Sequence, residues 1–278
     1  MNDGMLLDVS GLGKRYGAGC PDCASTTGPD FSTNVCPKCG TVVALDALSF
    51  DLKQGEILGV VGESGSGKST LIQCLYFDVA PSSGSVFMAG EAEGKDLLAL
   101  PRAHQRRLRA RRMGMVYQNP LRGLRMDITS GANVAEKLLE AGTFHFRRIR
   151  DRTAELLDGT EIPARYIDVP PRSLSGGMQQ RIQIAKALAN NPPLVLLDEV
   201  TSGLDVSVQA RVLDLIRELQ RDLGISMIVV SHDMGVIRLL ADRTVVLKNG
   251  RVVERGLTDQ ILEDPRHPYS QLLVHSTL

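Results

Sequence analysis

Apolar and polar positions alternate loosely from Leu6 to Tyr16, which predicts a strand. A second strand is predicted at ALDALSFDL, Ala44 to Leu52, closed by a turn at Gln54-Gly55. EILGVVG, Glu56 to Gly62, is a continuous apolar run ending in glycine, the pattern of a strand buried on both faces. Helical spacing begins at once in STLIQCLYF, from Ser69. Beyond it the pattern predicts a turn and short strand over residues 81–90, an arginine-dense helix, and a buried strand from Met113 to Gln118. A mainly helical stretch follows, with amphipathic ANVAEKLLEAG and RRIRDRTAELLDG. A helix at Gly176 to Asn190, a strand at Leu194 to Glu199, and a helix at Val206 to Leu223 come next. ISMIVVSH then reads as a strand, and TVVLKNGRVVERG as a strand pair turning at Asn249-Gly250. Buried strands alternating with helices predict an α/β fold with a largely parallel sheet.

Chemistry enters at GESGSGKST, Gly62 to Thr70, which matches G-x-x-x-x-G-K-[ST] between a predicted strand and a predicted helix. Gly62, Gly65 and Gly67 let the backbone curl so that its N–H groups face phosphate oxygens. Lys68 reaches the β- and γ-phosphates, Ser69 offers a hydroxyl to Mg²⁺, and the helix N-terminus adds partial positive charge. Ser64, Ser66 and Thr70 complete the candidate phosphate-binding loop. LVLLDE supplies the expected counterpart: a buried strand delivers Asp198 to hold Mg²⁺ through water, and Glu199 to activate the attacking water. Nucleotide hydrolysis is the chemistry these two segments point to.

With LSGGMQQ, Leu174 to Gln180, the sequence resembles an ATP-binding-cassette ATPase. That resemblance implies a P-loop nucleotide-binding domain spanning residues 1–278, with a RecA-like core, an antiparallel β subdomain and a helical subdomain at residues 119–173. It implies roles for further positions. Tyr16 stacks on adenine, Gln118 senses Mg²⁺ and couples to the helical subdomain, and His232 contacts the γ-phosphate. Ser175, Gly176 and Gly177 bind the γ-phosphate held by a second subunit, and the SGLD loop ending at Asp205 communicates across the dimer. A second cassette domain is therefore an expected partner, as homodimer or heterodimer. Two departures stand out: Val200 replaces the usual proline after Glu199, and Lys186 replaces a common arginine. The first is expected to soften the loop to SGLD, and the second to sit on a solvated face without consequence.

LTDQILEDPRHPYSQLLVHS resembles both the peptide/nickel importer ATPases and the cassette subunit of the carbon–phosphorus lyase system. QNPLRGLRMDITSGANVAEKLLEAG, LSGGMQQRIQIAKAL and SGLDVSVQARVLDLIREL resemble the lyase-associated subunit more. The resemblance implies an ATPase that docks on a cytosolic phosphonate-cleaving complex; the rival is the same engine under a membrane permease. A non-hydrolysing scaffold is a third reading, opposed by the intact Glu199 and His232.

Composition narrows the field. Lysine plus arginine equals aspartate plus glutamate at 32 each, so bulk charge recruits neither nucleic acid nor an anionic membrane. RAHQRRLRARR packs six arginines into eleven residues, but without interleaved aromatics it reads as a solvated helix face. His104, His145, His267 and His275 lack metal-ligand spacing. No run approaches the ~20 apolar residues of a bilayer span, and MNDGMLLDVS does not read as a secretory signal. A cytoplasmic setting is expected, peripheral to the membrane's inner face if the chain serves an importer.

In a reducing compartment, cysteines point to metal rather than disulfides. Cys20-x₂-Cys23 and Cys36-x₂-Cys39 form two knuckles, each with proline after its first cysteine. Four thiolates close a tetrahedral S₄ site suited to structural Zn²⁺, with iron as the alternative metal. Residues 17–42 are thus predicted to be an inserted zinc-ribbon-like cassette, either a stapled loop or a docking knob beside the adenine site. Cys74 falls in a helical pattern and is expected to pack.

Overall fold

A computed structural model describes residues 4–91 and 94–277, so the first residues of the MNDGMLLDVS segment lie outside it. The chain opens with strands β1 (Met5–Tyr16), β2 (Val42–Lys53) and β3 (Ile57–Val61), helix α1 (Lys68–Leu75) and β4 (Ser83–Met88). It continues with α2 (Arg102–Arg112), β5 (Met113–Val116), α3 (Pro120–Gly123), α4 (Ser130–Glu140) and α5 (Phe146–Gly159). Next come α6 (Gly176–Ala187), β6 (Leu194–Asp198), α7 (Val206–Leu223) and β7 (Ser226–Ser231). The last elements are α8 (Met234–Leu240), β8 (Arg243–Lys248), β9 (Arg251–Leu257), α9 (Thr258–Glu263) and α10 (Pro268–Thr277). No helix among the described residues is long and apolar enough to cross a membrane.

Two compact units emerge, Met1–Pro101 with Ile228–Leu278, and Arg102–Met227. In the first, β2, β1 and β4 form a three-stranded antiparallel sheet. Tyr16 faces Val42 in the register of β1 and β2, so the cysteine segment leaves and re-enters at one end of a hairpin. β3 pairs in parallel with β8, and β8 pairs antiparallel with β9. All five residues of β3 are buried, as its unbroken apolar run requires. The β8–β9 turn places both Asn249 and Gly250 at positive φ, 46° and 79°, which a two-residue hairpin loop demands.

A charged cluster pins this unit's strands. Arg243 on β8 donates to Asp51 on β2 at 2.9 Å and to buried Glu56 at 3.1 Å. Its guanidinium holds the Asp51 carboxyl below the usual carboxylate range.

In the second unit β5 and β6 pair in parallel, Met113 opposite Leu194 through Val116 opposite Leu197. Every residue of both strands is buried. Amphipathic α4 and α5 pack near α6, as their apolar stripes predict. Asn133 on α4 is fully buried yet satisfied: Nδ2 donates to the Arg125 and Thr129 carbonyls, and Oδ1 accepts from the Arg125 N–H at 2.8 Å. This single side chain fixes the irregular 125–129 segment. The arginine-rich α2 buries only Leu108 and Ala110 and leaves most of its arginines outward, as a solvated face should.

Candidate functional site

The phosphate loop leaves buried β3 and enters α1, with Gly62, Gly65 and Gly67 at φ of 153°, 80° and 108°. Gly67 is doubly constrained. Besides its left-handed φ, a Cβ there would overlap the Ala44 carbonyl of β2. Lys68 is buried, and its ammonium donates to the Gly62 and Glu63 carbonyls at 2.7 and 2.8 Å. The lysine head is thus held over the loop that Ser64, Gly65 and Ser66 complete, with Ser69 and Thr70 in the first turn of α1. The cradle fits a phosphate chain: curled backbone, a helix N-terminus and a positioned cation. Two contacts brace it from behind. The Glu63 N–H donates to the Tyr269 hydroxyl at 3.0 Å, and the Gly250 N–H to the Ser66 carbonyl at 2.9 Å.

Tyr16 ends β1, partly exposed, with the Lys14 ammonium 4.9 Å from its ring centre. His232 lies exposed just after β7, where Asp233 caps α8 by accepting from the Gly235 N–H at 2.8 Å. Cys74 is buried in α1, and burial pushes its thiol up to about 11. It packs, as expected, rather than reacts.

Within the second unit the structure joins three predicted positions. Gln118 Nε2 donates to Glu199 Oε2 at 2.8 Å and lies 3.4 Å from the Ser202 hydroxyl of SGLD. Asp198 is buried at the end of β6, and Glu199 turns away with a left-handed φ of 46°. Val200 is buried beside it. Asp205 caps α7, accepting from the Val208 N–H at 3.0 Å and the Ser207 hydroxyl at 2.8 Å. The serine hydroxyl chiefly holds its carboxyl below the usual range.

The signature opens α6. Ser175 is the cap, accepting from the Met178 N–H at 3.3 Å, so the helix begins at the two signature glycines. Gly177 has a second cause: a Cβ there would come within 2.5 Å of Val208 on α7. Gly176 meets nothing closer than 3.7 Å.

Two residues of α6 carry more than the sequence reading assigned. Buried Gln183 accepts from the Tyr117 N–H and donates to the Tyr117 carbonyl, both at 3.2 Å, fixing the backbone beside Gln118. The signal was a glutamine at a core position of an apolar helix face. Lys186 corrects an expectation outright. It is not on a solvated face: its ammonium donates to the Gly123 carbonyl at 2.9 Å and pairs with Glu136 at 2.7 Å, mostly buried. Its long stem carries the charge to a carbonyl inside the unit.

The cassette brings all four cysteines together. Their sulfurs lie within 4.8 Å of one another, with Cys20–Cys23 at 3.6, Cys20–Cys36 at 3.7 and Cys23–Cys39 at 3.5 Å. A tetrahedral S₄ site with ~2.3 Å metal–sulfur bonds places its sulfurs about 3.8 Å apart, so the cluster can hold a metal ion. Such spacing suits zinc and iron alike. The Cys20 N–H points at Cys23 Sγ at 3.1 Å, whereas the Gly40 N–H donates to the Cys36 carbonyl at 2.9 Å. The Thr26 hydroxyl and the Lys38 N–H lower Cys36 to about 6, while burial and neighbouring sulfurs push Cys20 up to about 12. Adjacent thiolates repel unless a cation sits among them.

Comparison with known proteins decides the family. The sequence profile described as ABC transporter matches residues 45–202. The chain belongs to the ABC transporter family. This cassette is 50% identical over 231 residues to the phosphonates utilization ATP-binding protein PhnK of Escherichia coli (strain K12), covering 83% of this chain and 90% of that one. It is 39% identical over 241 residues to the oligopeptide transport ATP-binding protein OppD of Bacillus subtilis (strain 168), covering 85% and 67%. Among solved structures it resembles the dimeric post-hydrolysis state of the ATP-binding cassette MJ0796 bound to ADP and Pi. That match has a TM-score of 0.75 at 28% identity, covering 91% of this chain and 99% of the other. The cassette has the ABC ATPase fold, with an antiparallel sheet and parallel strand pairs on a P-loop. The profile match begins after the cysteine cassette.

Proposed function

We propose that this cassette is the ATP-hydrolysing subunit of a phosphonate-utilisation system, docking on a carbon–phosphorus lyase complex as a Mg²⁺-dependent dimer. The observation that carries the reading is 50% identity across 90% of PhnK, against 39% for the importer subunit OppD. Backbone N–H groups of residues 62–70 bind the phosphates, Lys68 neutralises the β- and γ-oxygens, and Tyr16 stacks on adenine. Ser69 and Gln118, with Asp198 acting through water, would hold Mg²⁺, which would supply positive charge to offset that developing on the departing phosphate. Glu199 takes the proton of the attacking water, with Gln118 fixing its carboxylate, as their 2.8 Å hydrogen bond supports. His232 steadies the γ-phosphate. The N-terminus of α6, Ser175 to Gly177, reaches the nucleotide of a second cassette, and Asp205 holds the start of α7 beside it.

The four cysteines carry structural Zn²⁺. With every coordination position filled by sulfur, the ion serves shape rather than chemistry. Residues 119–173 form the lobe that meets the partner.

Co-purification with the Glu199→Gln variant, which stalls the ATP-bound state, tests the assignment. Recovery of lyase subunits supports it. Recovery of an integral-membrane permease without them replaces it with the importer reading.

A further inference from the structure

The cysteine cassette touches the phosphate loop directly. Asn34 Nδ2 donates to the Gly65 carbonyl at 3.2 Å. Asn34 stands two residues before Cys36, and its own carbonyl accepts from the Val43 N–H at 2.7 Å. Its place is therefore set by the second knuckle and the start of β2. A trans peptide keeps its C=O and N–H antiparallel, so holding the Gly65 carbonyl also orients the Ser66 N–H. That N–H points inward to the Glu63 carbonyl at 3.2 Å. One amide thus fixes the crown of the loop.

A second path runs through the β8–β9 turn. Asn249 Nδ2 donates to the cassette's Gly28 carbonyl at 3.5 Å, while the next N–H, from Gly250, holds the Ser66 carbonyl. Arg251 adds a bond to the Ala24 carbonyl at 2.6 Å while paired with Asp46 at 2.7 Å. Gly28 makes room for it: a Cβ there would stand 3.0 Å from the guanidinium carbon. Successive carbonyls of the phosphate loop, 65 and 66, are anchored by the cassette and by a turn the cassette grips.

We propose that the metal-bound cassette braces the phosphate loop, so that metal occupancy and nucleotide affinity are coupled through Asn34. The inference rests on reading the cysteines as a zinc site. Its physical reason is the cassette's small interior. Buried Cys23, Cys36 and Val43, with Cys20 against them, form a cluster too small to hold a shape without a staple. Releasing the metal frees the second knuckle, and with it the Asn34 amide. Coupling of this kind is reciprocal: if metal tightens ATP binding, ATP tightens metal binding by the same factor.

The test uses the full chain and the Asn34→Ala variant, measuring zinc content, ATP affinity, and the equilibrium transfer of zinc to a chromophoric chelator. Asn34→Ala is expected to keep one zinc per chain and to bind ATP roughly 3- to 10-fold more weakly. Saturating ATP should raise the zinc affinity of the unmodified chain, and much less that of Asn34→Ala. Zinc retained with unchanged ATP affinity in Asn34→Ala overturns the coupling and leaves the zinc site standing. Purified protein that binds no zinc overturns the zinc site and the coupling with it.

Discussion

The phosphate loop runs between a strand buried along its whole length and a helix with five buried residues, whereas the cysteine cassette leaves β1 at Tyr16 and returns at Val42 around a handful of buried side chains. Both are glycine-containing loops in the same compact unit. One takes its shape from the core on either side, where each buried Leu or Val contributes about 1.5–3 kcal/mol. The other takes its shape from four sulfurs. A loop framed by a core keeps its geometry when its ligand departs; a loop framed by a metal does not. Under the proposed coupling, the buried strand and helix on either side stay constant, while the crown of the phosphate loop, where Asn34 holds the Gly65 carbonyl, follows the cassette.

The largest expected effect separates chemistry from brace. Glu199→Gln should lower steady-state phosphate release by about 100- to 10,000-fold while equilibrium ATP binding persists. Undiminished turnover would remove Glu199 from its role. Next in size is Lys68→Ala, which deletes the cation over the loop. ATP affinity should fall roughly 10- to 100-fold, with zinc content unchanged by metal analysis. Loss of zinc together with ATP binding would show that Lys68 maintains the cassette's structure as well as the nucleotide site.

Acid unfolding probes the framing core itself and carries the smallest effect. Arg243 lowers the Asp51 pKa in the folded state. The stability this supplies is present above the ordinary carboxylate value of about 3.9 and is lost as pH falls through the lowered value. Asp51→Asn should therefore cost stability at neutral pH, by about 1 kcal/mol for this partly exposed pair. It should also flatten the acid limb below about pH 4. A pH–Tm profile parallel to that of the unmodified chain would contradict the assignment.

Most of the frame was legible in the sequence because its signals are local. EILGVVG, LVLLDE and the helix from Val206 to Leu223 fell where periodicity put them, and GESGSGKST declared both its strand and its helix. The cysteine spacing anticipated the sulfur cluster. What escaped were long-range polar contacts. Asn34 on Gly65, Tyr269 on Glu63 and Gln183 on Tyr117 join residues 31, 206 and 66 positions apart, and no periodicity records them. Lys186 misled for the same reason. A lysine on an amphipathic helix reads as solvated until Gly123 and Glu136 are seen around it. Strand ends were also overrun: β5 stops at Val116, leaving Gln118 free of the ladder to reach Glu199.

Amide hydrogen exchange, followed separately over residues 20–41 and 62–70 before and after zinc is withdrawn, tests the brace most directly. The two segments should lose protection together while β3 and β6 remain protected. Cassette exchange that accelerates while the phosphate loop stays unchanged would contradict it.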